Sequence, residues 1–206
     1  EMVSIVGTNG AGKSTLAKVI CGFVTEDEGR LLYEGEDLKG KTIKERSQMI
    51  GFVMQNPNQM ICKPMIYDEV ALGLRIRGVD EAETEKRVEK ALKICGLAPF
   101  KKWPISALSF GQKKRVTIAS ALVLDPKILI LDEPTRGIDV GSKDEIYEMI
   151  ARLAKQGMAI LLLSSELAEV ISMAHRILVL KDGQPRGELA GEGATQDEIM
   201  MIAVEE

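Results

Sequence analysis

Nine residues near the start of the chain, Gly7-Thr8-Asn9-Gly10-Ala11-Gly12-Lys13-Ser14-Thr15, constrain its fold more than any other stretch. They follow a short apolar run, residues 3–6. They open a segment over residues 13–21 in which Leu16, Val19 and Ile20 share one helical face. Gly22 stands where a left-handed helix cap is expected. Strand, glycine-rich turn and helix in that order are what the pattern G-x-x-x-x-G-K-[ST] requires. Glycines let the backbone wrap closely around phosphates with its N–H groups pointing inward, and the helix start adds its positive dipole end. Lys13 supplies a point charge for the β- and γ-phosphates, and Ser14 a hydroxyl for Mg²⁺. Gly7, Asn9, Gly10, Ala11, Gly12, Lys13, Ser14 and Thr15 are therefore the candidate nucleotide-binding residues.

Two further motifs belong beside this loop. Residues 128–131 are continuously apolar, as in a parallel strand covered on both faces, and Asp132-Glu133 follows them. Carboxylates at the end of such a strand lie on the sheet edge where ligands bind. Asp132 is suited to hold Mg²⁺ through water, and Glu133 to polarise an attacking water as general base. Alone, the pair reads equally well as an acidic loop after any buried strand; next to a phosphate loop it reads as the second half of one site. Leu108-Ser109-Phe110-Gly111-Gln112 precedes a helical pattern over residues 111–124. Ser109 and the N–H groups around Gly111 thus form either a second anion-facing helix start or an ordinary N-cap.

The rest of the chain alternates strands and helices. Strands are expected over residues 29–33 (in a side sheet), 50–54, 159–163 and 177–180, with Asp182-Gly183 as a hairpin turn. Helices are expected over residues 143–155, with Ile146, Met149, Ile150 and Leu153 inward, and over residues 195–204. From residue 58 to 124 the pattern is helical. There Asp80 and Glu83 form an acidic variant of the capping box ahead of Val88, Ala91, Leu92 and Cys95. This predicts an α/β fold, a mostly parallel sheet with a helical lobe inserted between the strands at Ile50 and Ile128.

Composition narrows the function classes. A net charge of −4 without a long basic block argues against a nucleic-acid partner. Cys21, Cys62 and Cys95 lack metal-ligand spacing and are expected to be buried or half-buried thiols in a reducing compartment. No stretch approaches the ~20 apolar residues that span a bilayer, so a membrane role would need a partner chain as anchor. The sequence opens almost directly on a strand, which suggests a fragment.

Taken together, the motifs resemble those of the ABC-type ATPases, and in that family's order. Gly7 to Thr15 is similar to Walker A, Asp132-Glu133 to the end of Walker B, and Gln55 to the Q-loop glutamine. Leu108 to Gln112 resembles the LSGGQ signature with Phe110 in place of its first glycine, and Gly137-Ile138-Asp139 lies where the D-loop is expected. The resemblance implies one P-loop NTPase (RecA-like) domain over residues 1–206, with a core of residues 1–57 and 126–206, a helical subdomain of residues 58–125 and a small antiparallel β part. It implies ATP and Mg²⁺ as cofactors. Glu133, Gln55 and Ser165 would be catalytic, and Ser14, Gln55 and Asp132 would serve the metal. Ser109, Gly111, Gln112 and Asp139 would reach the nucleotide of a second ATP-binding domain. The family's further partners are transmembrane transporter subunits, which would hold the chain on the cytoplasmic face of the membrane.

Two likenesses run through the chain. Residues before about Thr135 resemble the ATPases of energy-coupling-factor and cobalt-type importers, carried by Gln55 to Gln59, Asp68 to Leu74 and Ser109 to Val116. Asp132 to Gly141 and Ser164 to Leu167 resemble the second ATPase half of monosaccharide importers, which suggests a natural mosaic, a misassembled gene or a built chimera. The sequence departs from the family twice. Ser165 stands where most members carry a γ-phosphate histidine, and the single histidine, His175, reads as a surface or packing residue. The β segment before Walker A, with its adenine-stacking aromatic, is missing. These departures open an alternative: a module that binds ATP but hydrolyses it poorly.

Overall fold

The computed structural model describes residues 1–204. Strand β1 (Met2–Val6) leads through the glycine loop into helix α1 (Lys13–Cys21), which Gly22 closes at φ 82° as its C-cap. A two-stranded ribbon of β2 (Leu32–Tyr33) and β3 (Glu36–Asp37) follows, then the short helix α2 (Ile43–Arg46) and strand β4 (Ile50–Val53). The lobe that follows holds α3 (Ile66–Ile76), α4 (Glu81–Ile94) and α5 (Phe110–Leu122). The chain returns through β5 (Ile128–Asp132), α6 (Val140–Lys155), β6 (Ala159–Ser164), α7 (Leu167–Met173), β7 (Arg176–Lys181), β8 (Gln184–Ala190) and α8 (Gln196–Val204).

The main sheet runs β4-β5-β6-β1-β7-β8, parallel except for the β7–β8 hairpin. Its inner strands β5 and β6 are apolar almost throughout because both faces are covered, whereas the edge strand β8 is polar and largely exposed. Leu129 and Leu131 point into the core shared with the lobe and α6, and Ile130 between them points into the core under α1. Register then places the functional strand ends side by side. Val6 lies opposite Ser164, and Asp132 opposite Leu163.

Several expected boundaries shift for local reasons. The strand expected over residues 29–33 shrinks to Leu32–Tyr33: Gly29 adopts φ 88°, which breaks the extended run at its start, and Glu34 and Gly35 turn the chain back just after Tyr33. Helix α6 begins at Val140 rather than at residue 143, since the Asp139 side chain accepts from Ser142 N at 3.1 Å and starts it earlier. Asp80 caps α4 as expected, accepting from Glu83 N at 3.0 Å. Glu83 does not return the bond; its carboxylate accepts from Arg87 Nε at 2.6 Å instead, a stronger charged partner. A complete capping box forms at Thr42 and Glu45, where the sequence suggested nothing. Cys21 and Cys95 are buried and their thiols are pushed up to about 12 by that burial. Cys62 is exposed, contrary to expectation, because it lies in the irregular link between β4 and α3.

Candidate functional site

The glycine loop is shaped by one close contact at Gly7 and by a left-handed backbone at Gly12. A Cβ on Gly7 would sit 2.3 Å from the Leu180 carbonyl oxygen, and Gly12 holds φ 100°. The loop also has a brace that the sequence did not announce. Gly183 N, in the β7–β8 turn, donates to the Ala11 carbonyl at 2.9 Å. The turn that reads only as a hairpin therefore also supports the phosphate loop.

Lys13 is buried, and its ammonium donates to the carbonyls of Gly7 (2.6 Å) and Thr8 (3.2 Å) and lies 3.5 Å from Glu133 Oε1. Ser14 Oγ donates to Asp132 Oδ1 at 3.0 Å. Burial raises the Asp132 carboxyl above its ordinary range, against the lowering effect of the Ser14 hydroxyl. A desolvated carboxylate of this kind gains most from a neighbouring cation. Glu133 takes φ 47°, a conformation rare for a non-glycine, and its N–H donates to the Leu163 carbonyl at 2.8 Å. Its Oε2 accepts from both the N–H and the hydroxyl of Ser165, each at 3.1 Å.

Lys13, Ser14 and Glu133 line a cleft of about 520 Å³ together with Asn9, Gly10, Ala11, Gly12, Thr15, Gln55 and Arg136, whereas Gly7, Asp132 and Ser165 are not among its walls. Arg136 is an addition to the expected set: it is exposed, and its guanidinium donates to Asn9 Oδ1 at 3.2 Å. The one sequence signal for it was an arginine three residues past Glu133, which only the fold turns towards the loop. Ser109, Gly111, Gln112 and Asp139 do not line this cleft. Ser109 caps α5 and Gln112 closes a capping box on it. Gly111 packs so tightly that a Cβ would meet Ser142 at 2.9 Å. His175 is exposed and accepts from Met2 N at 3.1 Å, at the opposite end of β1 from the phosphate loop.

The family model described as ABC transporter matches residues 1–136. The chain belongs to the ABC transporter family. Domains of this family bind and hydrolyse ATP, and this chain is such an ATPase domain. An ABC transporter ATP-binding protein of Clostridium perfringens is 56% identical over 89% of the chain, and one of Enterococcus faecalis 53% identical over 98%. The second match runs across Thr135, where the two sequence likenesses meet. The chain spans about a third of the length of these relatives, 32% and 36%.

Among solved structures, cbiO1 of Clostridium perfringens, described as part of the ABC transporter complex cbiONQ, superposes with a TM-score of 0.88. It is 33% identical, and the match covers 98% of this chain and 81% of that one. The ATP-binding cassette MJ0796, a dimer in a post-hydrolysis state with ADP and Pi, superposes at 0.82 with 28% identity, over 94% of this ABC domain and 87% of its own chain. The reading of the chain as a feebly hydrolysing module finds no support in these relatives or in the site, where Glu133 stands beside Lys13. No helix among the described residues is long and apolar enough to cross a membrane.

Proposed function

We propose that this domain is one half of an ATP-driven, head-to-tail pair that powers a membrane transporter, of the importing kind. The observation that carries the reading is the separation of its two anion-facing helix starts. The cleft at Gly7 to Thr15 includes no signature residue, and Ser109 faces outward at a different helix end. A nucleotide in the cleft therefore leaves one side open for another chain's Ser109, Gly111, Gln112 and Asp139. MJ0796, solved as a dimer, supports the pairing, and cbiO1, from a multi-subunit transporter complex, supports a transmembrane partner.

Within the cleft, Lys13 and the loop N–H groups would hold the phosphates, Gln55 would line the metal side, and Glu133 would take the proton of the attacking water. Among the described residues no three His, Cys, Asp or Glu side chains are grouped to hold a metal. Mg²⁺ takes one or two protein groups and completes its shell with phosphate oxygens and water. Ser14 and Asp132, already in contact, would be those groups. Bound Mg²⁺ would neutralise charge that builds between the β- and γ-phosphates. Ser165, with two donors to one carboxylate oxygen, would hold Glu133 in place rather than touch phosphate. An apolar cleft of about 340 Å³, lined by Phe23, Ile43, Phe52 and Ile76 beside the Gln55 segment, is where we place the transmembrane subunit.

Mixing two inactive variants tests the pairing. Lys13→Ala loses its own nucleotide, and Ser109→Arg blocks the nucleotide of its partner. Their mixture contains one intact composite site per mixed pair and should regain a measurable part of the parental ATPase rate. A mixture no more active than either variant alone would overturn the head-to-tail reading.

A further inference from the structure

Lys114 is the most deeply buried charged side chain of the described residues, with no exposed surface. Burying an ammonium is costly, and a methionine of similar length would pack there without that cost. Its Nζ donates to two backbone carbonyls, Met54 at 2.8 Å and Gln55 at 2.6 Å. These are the first two residues beyond β4, where the ladder with β5 has ended at Val53 opposite Leu131. The ammonium therefore stands in for the next strand and fixes the chain as it leaves the sheet. Gln55 lines the nucleotide cleft from that position. Lys114 itself sits on α5, five residues from the cap Ser109, so about 7.5 Å of rigid helix links the two.

We propose that Lys114 is a positioning residue that holds Gln55 against the nucleotide cleft and makes its placement follow any tilt of α5. The inference rests on the proposed role of Gln55 in the cleft and adds what controls it. The ammonium does not touch the nucleotide. It acts through two carbonyls, so it sets the direction of the Gln55 side chain without contributing a ligand. Because the same helix begins at Ser109, docking of that cap on a second chain would be transmitted to Gln55. Burial pulls the Lys114 pKa down to about 8, against the smaller opposing effect of the Asp132 and Glu133 carboxylates, which favour its charged form.

A double-mutant cycle on the full chain tests this, with Lys114→Met, Gln55→Ala and the pair. ATP affinity is titrated with and without Mg²⁺, and kcat and KM are measured. A misplacement of about 1 Å can cost about 100-fold in rate. Lys114→Met should therefore lower kcat by roughly that factor and weaken Mg²⁺-dependent ATP binding about tenfold, while ATP binding without Mg²⁺ stays within about twofold. On the Gln55→Ala background the same change should cost no more than about twofold, because the two residues act as one unit. If the two effects multiply, or if Mg²⁺-free binding falls as much as the rest, Lys114 is merely structural and the inference fails. Should circular dichroism show Lys114→Met unfolded, Lys114→Gln takes its place in the cycle with the same expected outcomes. An ATP affinity left unchanged by Lys13→Ala would instead count against the cleft as the nucleotide site, and so against the proposed function.

Discussion

The helices α1 and α5 both start at a point where an anion could bind, yet the two starts are built in opposite ways. At α1 the N-cap is Gly12 in the left-handed region, and no side chain caps the helix. Its first-turn donors are left for a ligand, and the loop before it is braced by Gly183 and by Lys13 bonds to its own carbonyls. At α5 the N-cap is Ser109, whose Oγ accepts from Gln112 N at 3.2 Å while Gln112 Oε1 accepts from Ser109 N at 2.9 Å. There the chain satisfies itself. An uncapped glycine start inside a walled cleft can hold an anion with groups of its own chain; a capped start on an open surface has to meet a ligand that another surface already holds.

The largest expected contrast comes from removing the central group of each start. Lys13→Ala should raise the ATP dissociation constant at least about 100-fold. The change deletes charge-assisted contacts, each worth roughly 1.5–3 kcal/mol, with every tenfold equal to about 1.4 kcal/mol. Calorimetric titration of the isolated domain measures it, and an unchanged constant would erase the distinction. Ser109→Ala should do the reverse. Affinity for ATP in the unpaired domain should stay the same, while the lost cap costs about 1 kcal/mol, or roughly 2–4 °C in melting temperature. A large loss of affinity with no loss of stability would mean that Ser109 reaches the cleft of its own chain.

A further effect belongs to the α5 side and appears in pH. The Lys114 pKa falls from 10.5 to about 8 because burial penalises its charge. Between those values the unfolded chain keeps a proton that the folded chain has released, so this group makes stability rise with pH. Urea unfolding at pH 8 and pH 10 should show the parent gaining on Lys114→Met over that window. A parent that loses ground instead would place the ammonium in a better-solvated setting than the one described.

How much of this was legible beforehand depends on the range of each contact. The phosphate loop was readable because Gly7, Gly12, Lys13 and Ser14 act within one turn of chain, and local geometry is dictated by local residue types. The strands and the main helices were readable from their periodicity, and boundaries slipped where a side-chain cap such as Asp139 set the start. The capping boxes show the limit of a pattern: Asp80–Glu83 matched it, yet Arg87 took the glutamate.

What the sequence could determine by itself was the set of chemical groups and the order of strands and helices. What only the tertiary structure decided was which distant groups meet. Ser165 reaching Glu133, Lys114 reaching Met54 and Gln55, Arg136 reaching Asn9 and Gly183 reaching Ala11 all join segments far apart in the chain. None has a local signature, because each depends on strand register and helix packing: Val6 opposite Ser164, Asp132 opposite Leu163, and α5 laid against the end of β4. Register is fixed by burying alternate apolar residues of the inner strands on two faces at once, a condition satisfied by the sheet as a whole rather than by any one segment.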